Sequence, residues 1–133
     1  MSQTKLGYLI LCDGHAKVGG KDCVLGVFNR IFVARFPATH DNCFLAFELW
    51  TAPGEHELAV KIQDSDGADL VQPLGPLKMT VSAAGQGSGA IQLRQLPLPK
   101  QGIYHFLMTV DGESIGVREL FVENVPQQGP RPA

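Results

Sequence analysis

The chain has 133 residues, of which 44% are hydrophobic and 18% charged. That length suits a single domain, and that balance excludes wholesale disorder. Eleven basic residues against thirteen acidic ones leave a net charge of −2, which argues against nucleic acid as a general partner.

The first apolar run, Leu6 to Cys12, is short. It lacks the long apolar region and small-residue cleavage site of a secretory leader, and no stretch approaches the roughly 18 apolar residues that span a bilayer. Cys12, Cys23 and Cys43 are an odd number at unpatterned spacing. In an oxidising compartment one thiol would be left over, so reduced cysteines in a cytoplasmic protein are expected, with no membrane partner.

A period of two dominates the chain. Residues 5–13 and 24–36 are nearly continuous apolar runs. Both read as strands, the second because Val, Ile and Phe crowd it and no helix cap precedes it. Leu45, Phe47 and Leu49 alternate against Phe44, Ala46, Glu48 and Trp50, with both faces fairly apolar, as in a central or covered strand. In residues 56–63, Leu58, Val60 and Ile62 oppose Glu57, Lys61 and Gln63. Residues 77–82 repeat the pattern. Residues 84–89, Ala-Gly-Gln-Gly-Ser-Gly, read by composition as a flexible loop. Residues 90–96 and 114–125 shift phase midway, which predicts a bulge in each. Between them, residues 103–110 place Tyr104, Phe106, Met108 and Val110 on one face.

Turn chemistry joins these runs. Asp111-Gly112 is a strong hairpin signal, and Gly19-Gly20, Pro53-Gly54 and Asp66-Gly67 mark three further turns. About eight short strands with no convincing helix predict an all-β antiparallel sandwich, immunoglobulin-like or fibronectin-like, over residues 1–125. Residues 126–133 carry three prolines and no large apolar anchor, and are expected to form a disordered tail. Tyr104, just past the corner Leu98 to Gly102, fits the tyrosine that immunoglobulin-like folds hydrogen-bond back across such a corner; a plain core aromatic is the alternative.

Leu11-Cys12-Asp13-Gly14, the stretch Val24 to Phe32, Arg35-Phe36-Pro37, Gly54-Glu55-His56-Glu57-Leu58 and the Asp64 to Gly67 turn together resemble small bacterial proteins grouped as a family of unknown function. The resemblance spans roughly residues 6–124. It implies a bacterial cytosolic β-sandwich, and it implies no substrate and no catalytic residue.

Several motifs mimic chemistry. Gly112-Glu113-Ser114-Ile115-Gly116 matches the nucleophile elbow, but a hairpin turn precedes it, a strand comes after it and no histidine lies beyond His105. Gly85-Gln86-Gly87-Ser88-Gly89 lacks the lysine and the following helix of a phosphate loop. Asp64-Ser65-Asp66-Gly67 opens like a calcium loop, yet Gly75 stands where the bidentate glutamate belongs. Cys12 with His15, and His40 with Cys43, have zinc-ligand spacing and could supply a tetrahedral site. Against this, Cys12 ends an apolar run and Cys43 begins one, where cysteine packs as a small hydrophobe. No cofactor and no catalytic residue is expected.

Surface apolarity remains. One interior cannot hold every apolar side chain, so Phe44 and Trp50 are candidates for an interaction surface unless residues 13–23 fold over them. The sequence therefore points to a non-enzymatic protein-interaction or structural module, self-associating or bound to a protein partner. A small-ligand or metal-binding domain is the alternative.

Overall fold

The computed structural model describes residues 4–125. The proline-rich segment 126–133 lies outside the described residues. Nine strands succeed one another: β1 (Lys5–Val18), β2 (Lys21–Phe28), β3 (Arg30–Val33), β4 (Ala38–Trp50), β5 (Gly54–Gln63), β6 (Leu74–Val81), β7 (Gln86–Leu98), β8 (Gly102–Val110) and β9 (Glu113–Asn124). They form two sheets, ordered β2-β1-β4-β7 and β3-β9-β8-β5-β6. All pairs are antiparallel except β3 with β9, which is parallel.

The alternation read from the sequence sets the core. Leu9, Leu11, Leu45, Phe47 and Leu49 from the first sheet join Leu58, Val60, Phe106, Met108 and Leu120 from the second in one buried cluster. Among the described residues no buried side chain is polar or charged apart from the tyrosine at the rim of this cluster. Tyr104 is buried, donates its hydroxyl to the Lys100 carbonyl at 2.5 Å and accepts the Lys100 N–H at 3.2 Å. The corner at residues 98–102 is tied down as the sequence suggested.

The two-residue turns Gly19-Gly20 and Asp111-Gly112 have positive φ throughout (57° and 76°, 50° and 81°), the mirror-image turn that matches strand twist. Of the two expected bulges one is present, in β8–β9, while β7 keeps a continuous register with β4. Gln95 takes φ 53° within β7, and the β8–β9 register slips between Met108 and Thr109.

Three readings need correction. The apolar run 24–36 is two strands, because the chain leaves the first sheet at Phe28 and joins the second at Arg30; this raises the count to nine. That crossing also creates the parallel pair in a fold expected to be antiparallel. Residues 86–89 are the start of β7 and not a loop. The end of the Met79 side chain packs over Gly87, 2.3 Å from where a Cβ would stand, so this glycine-rich stretch is packed strand and not free linker.

Candidate functional site

The distal half of the β1–β2 hairpin turns across the outer face of the first sheet. Asp13 Oδ2 lies 2.5 Å from where a Gly26 Cβ would stand, and Gly26 adopts φ 66°, so a side chain there would be both crowded and strained. Beyond this point His15, Lys17 and Asp22 face the sheet. The His15 ring packs over Phe44 with centroids 6.5 Å apart. Ser88, on β7, donates to Asp22 Oδ2 at 2.5 Å; His15 Nε2 pairs with Asp22 Oδ1 at 2.9 Å; Lys17 Nζ donates to Ser88 Oγ at 3.3 Å. A cleft of about 510 Å³ opens beside them, lined also by Tyr8, Glu48 and Lys21.

Burial pushes the Asp22 carboxyl up, but hydrogen bonds from Ser88 and His15 and the charge of Lys17 outweigh it and hold the group below its ordinary value. The Tyr8 hydroxyl is raised, first by burial, then by the nearby Asp22 and Glu48 charges. Serine, histidine and aspartate meet here in an order that does not serve acyl transfer. A triad needs the imidazole between nucleophile and acid. Asp22 instead separates His15 from Ser88 and takes a hydrogen bond from each, so the cluster fastens the hairpin.

The hairpin is amphipathic in the unusual sense. Its polar side, with His15, Lys17 and Asp22, is turned to the sheet. Its other side carries Ala16 opposite Cys23 and Val18 opposite Lys21, all exposed, with Leu25 72% exposed and Val18 60%.

The four residues with zinc-ligand spacing are not brought together. Cys12 sits opposite Phe44, on the outer face, where burial raises its thiol. Cys43, the next residue before Phe44, faces the core, and burial pushes its thiol up to about 11. His15 is held by Asp22, and the His40 ring lies tilted against Phe28 with centroids 5.7 Å apart and its Nε2 buried and unbonded. Among the described residues no group of three or more His, Cys, Asp or Glu is placed to hold a metal.

Phe44 is half-buried beneath His15, as the fold-over of residues 13–23 would require, whereas Trp50 is 47% exposed and donates its indole N–H to Glu48. In the acidic turn, Asp64 accepts the N–H groups of Asp66 and Ala68, Asp66 pairs with Lys100, and Asp69 accepts from Gln63. Its carboxylates are engaged by the turn backbone, by Lys100 and by Gln63.

Two features were missed by the sequence reading. His56, for which no partner is adjacent in sequence, bonds Asp111 through Nδ1 at 2.6 Å and the Ala52 carbonyl through Nε2 at 2.6 Å. Arg118 lies opposite the core residue Phe106, its Nε buried without a partner. The only available signals were the Asp-Gly turn for the first, and a charged residue at an inward position of a strand for the second.

The fold and site define a nine-stranded, two-sheet all-β domain whose conspicuous surface is an outward apolar hairpin. The chain belongs to a family of unknown function (DUF6941), which it matches over residues 7–123. No curated protein matches it. Among solved structures it is similar to the Pseudomonas fluorescens alkylpurine DNA glycosylase AlkC bound to DNA containing an abasic site analog, with a TM-score of 0.61 and 14% identity, over 92% of this chain and 31% of that one. It is also similar to a β-glucosidase from Listeria innocua in complex with isofagomine, with a TM-score of 0.53 and 12% identity, over 92% of this chain and 16% of that one. The chain thus spans under a third of either protein, and the likeness is one of fold. Among the described residues no helix is long and apolar enough to cross a membrane.

Proposed function

We propose that this domain is an immunoglobulin-like β-sandwich that acts as a non-enzymatic interaction module and self-associates through the outward face of the β1–β2 hairpin. The strand order supports the fold reading. β1-β4-β7 corresponds to strands A-B-E, and β9-β8-β5-β6 to G-F-C followed by the added strand of variable-type domains; β2 and β3 are inserted after the first strand. The Tyr104 hydrogen bond to Lys100 falls where a tyrosine corner belongs.

The observation that carries the functional reading is the inverted hairpin. Apolar burial is the main source of folding free energy, so a hairpin that turns Val18, Cys23 and Leu25 to water and three polar groups to the protein loses stability as a monomer. A twofold pairing of two such faces removes them from water with one self-complementary surface. Three free thiols, two of them buried, support a reducing, cytoplasmic setting. A net charge of −2 supports a protein partner over nucleic acid.

Light scattering across a concentration series tests this. A dimer for the natural chain and a monomer for Leu25→Glu, with the melting temperature of the dissociated protein unchanged, is the expected result. A natural chain that stays monomeric at every concentration overturns it.

A further inference from the structure

Strand β9 has twelve residues, yet its partner on the side away from β8 covers only Phe121 to Asn124. The Phe121 N–H donates to Asn29 O on that side at 2.8 Å. Because backbone groups alternate along a strand, the N–H and C=O of Val117 and Glu119 point the same way, past the end of β3, where no described strand forms a ladder with them, although the Leu6 side chain of β1 packs against the adjacent Gly116. Both residues are exposed, Val117 to 50%. A notch of about 250 Å³ lies there, bounded by Asn29, Val117, Arg118, Glu119 and Phe121. Arg118 borders it from the inner side of the sheet with its Nε donor buried and unsatisfied.

This stretch of the ladder has no strand partner, and the buried Arg118 Nε has no acceptor among the described residues. An unmade hydrogen bond on a buried charged group is costly, and a carboxylate is the acceptor whose geometry suits arginine. We propose that the free half of β9 receives an extended peptide segment of another protein, added as a strand in line with β3, with an acidic residue of that segment bonded to Arg118. The neighbouring Arg30 is already committed, stacked on Phe121 at 5.5 Å and bonded to Glu123 at 2.9 Å, so Arg118 is the cation that selects the acid. This site is on the second sheet and does not depend on the hairpin contact.

The test uses the full chain carrying Leu25→Glu, so that self-association cannot imitate peptide binding. An acetylated peptide alternating valine and glutamate, and its valine–lysine counterpart, are titrated into labelled protein by amide NMR. Saturable shifts at Val117, Glu119 and the Arg118 side chain are expected with the acidic peptide and not with the basic one. Arg118→Gln should weaken binding about tenfold, the order expected for losing a charge-assisted hydrogen bond. Val117→Pro should abolish it while the β8–β9 amides keep their shifts, because proline removes only the N–H that faces the open edge. Equal binding of both peptides, or no saturable shift with either, overturns the proposal. So does association of the Arg118→Gln protein through β9, which would make Arg118 a guard against strand pairing.

Discussion

The β1–β2 and β8–β9 hairpins close through the same kind of turn and are held in opposite ways. In β8–β9 the inward residues Tyr104, Phe106, Met108, Val110, Leu120 and Val122 are all buried, with Arg118 the one charged residue among them and only partly buried. In the distal β1–β2 hairpin the inward residues are His15, Lys17, Asp22 and the half-buried Val24, while Val18, Cys23 and Leu25 face water. One hairpin is fixed by area removed from water, which is insensitive to pH. The other is fixed by a few hydrogen bonds to one carboxylate. Their turns are interchangeable; what separates them is which face of the period-two pattern meets the sheet.

The largest expected effect is therefore in the second sheet. Phe106→Ala should cost about 3–5 kcal/mol in denaturant unfolding, the range for deleting a fully buried aromatic ring. A replacement on the inward side of the other hairpin, Val24→Ala, should cost much less, since Val24 is only half-buried. Equal losses would mean that both hairpins belong to the same packed unit. Next comes Tyr104→Phe, which keeps the ring and removes the bond to Lys100. A loss of about 1 kcal/mol or somewhat more is expected, as for a typical intramolecular hydrogen bond.

The same contrast explains what was legible in the sequence. Strands with one apolar face, such as β5 and β8, could be read directly, because burial enforces their alternation. The Asp111-Gly112 turn and the Tyr104 corner are local and were legible too. Residues 24–36 were not, since an apolar run carries no mark of the point at which it changes sheets. Gly87 read as loop because what packs over it is Met79, a residue of another strand. The site was less legible still. Asp22 meets Ser88 across 66 positions and His56 meets Asp111 across 55, and neither pairing leaves a spacing in the chain. The metal-like spacing of Cys12, His15, His40 and Cys43, against which the sequence already weighed, carries no three-dimensional meaning for the converse reason. Adjacent positions in β4 face opposite sides of a sheet, so Cys43 goes to the core while Phe44 shares Cys12's outer face.

Asp22 offers a sharper test of the comparison. Its carboxyl is held below its ordinary value, so its contribution is present above the unfolded value of about 3.9 and is lost as pH falls through the folded one. Amide exchange at residues 14–25 should accelerate below about pH 4, ahead of global unfolding, while the β8–β9 amides stay protected. Asp22→Asn should bring that opening to neutral pH. If the hairpin and β8–β9 open together, the hydrogen bonds to Asp22 are not what holds the hairpin.

The smallest expected effect lies where the packed hairpin also has an ionic contact. Both His56 ring nitrogens face acceptors, the Asp111 carboxylate and the Ala52 carbonyl, and only the imidazolium donates from both. The hydrogen bond to Asp111 raises the His56 value first, then the bond to Ala52, against a smaller opposing effect of burial. Asp111 is lowered, first by the Glu57 N–H and then by His56. The signs set a window. The histidine contribution is complete below its unfolded value of about 6.5 and fades as pH rises through the raised folded one. The aspartate contribution is complete above about 3.9 and fades as pH falls through the lowered one. The difference in melting temperature between the natural chain and His56→Gln should therefore be greatest between about pH 4 and 6.5 and should shrink on either side. It should stay modest, because Asp111 is half exposed and water competes for it. A difference that does not vary with pH would reduce the contact to neutral hydrogen bonding and leave the β8–β9 hairpin held by its apolar face alone.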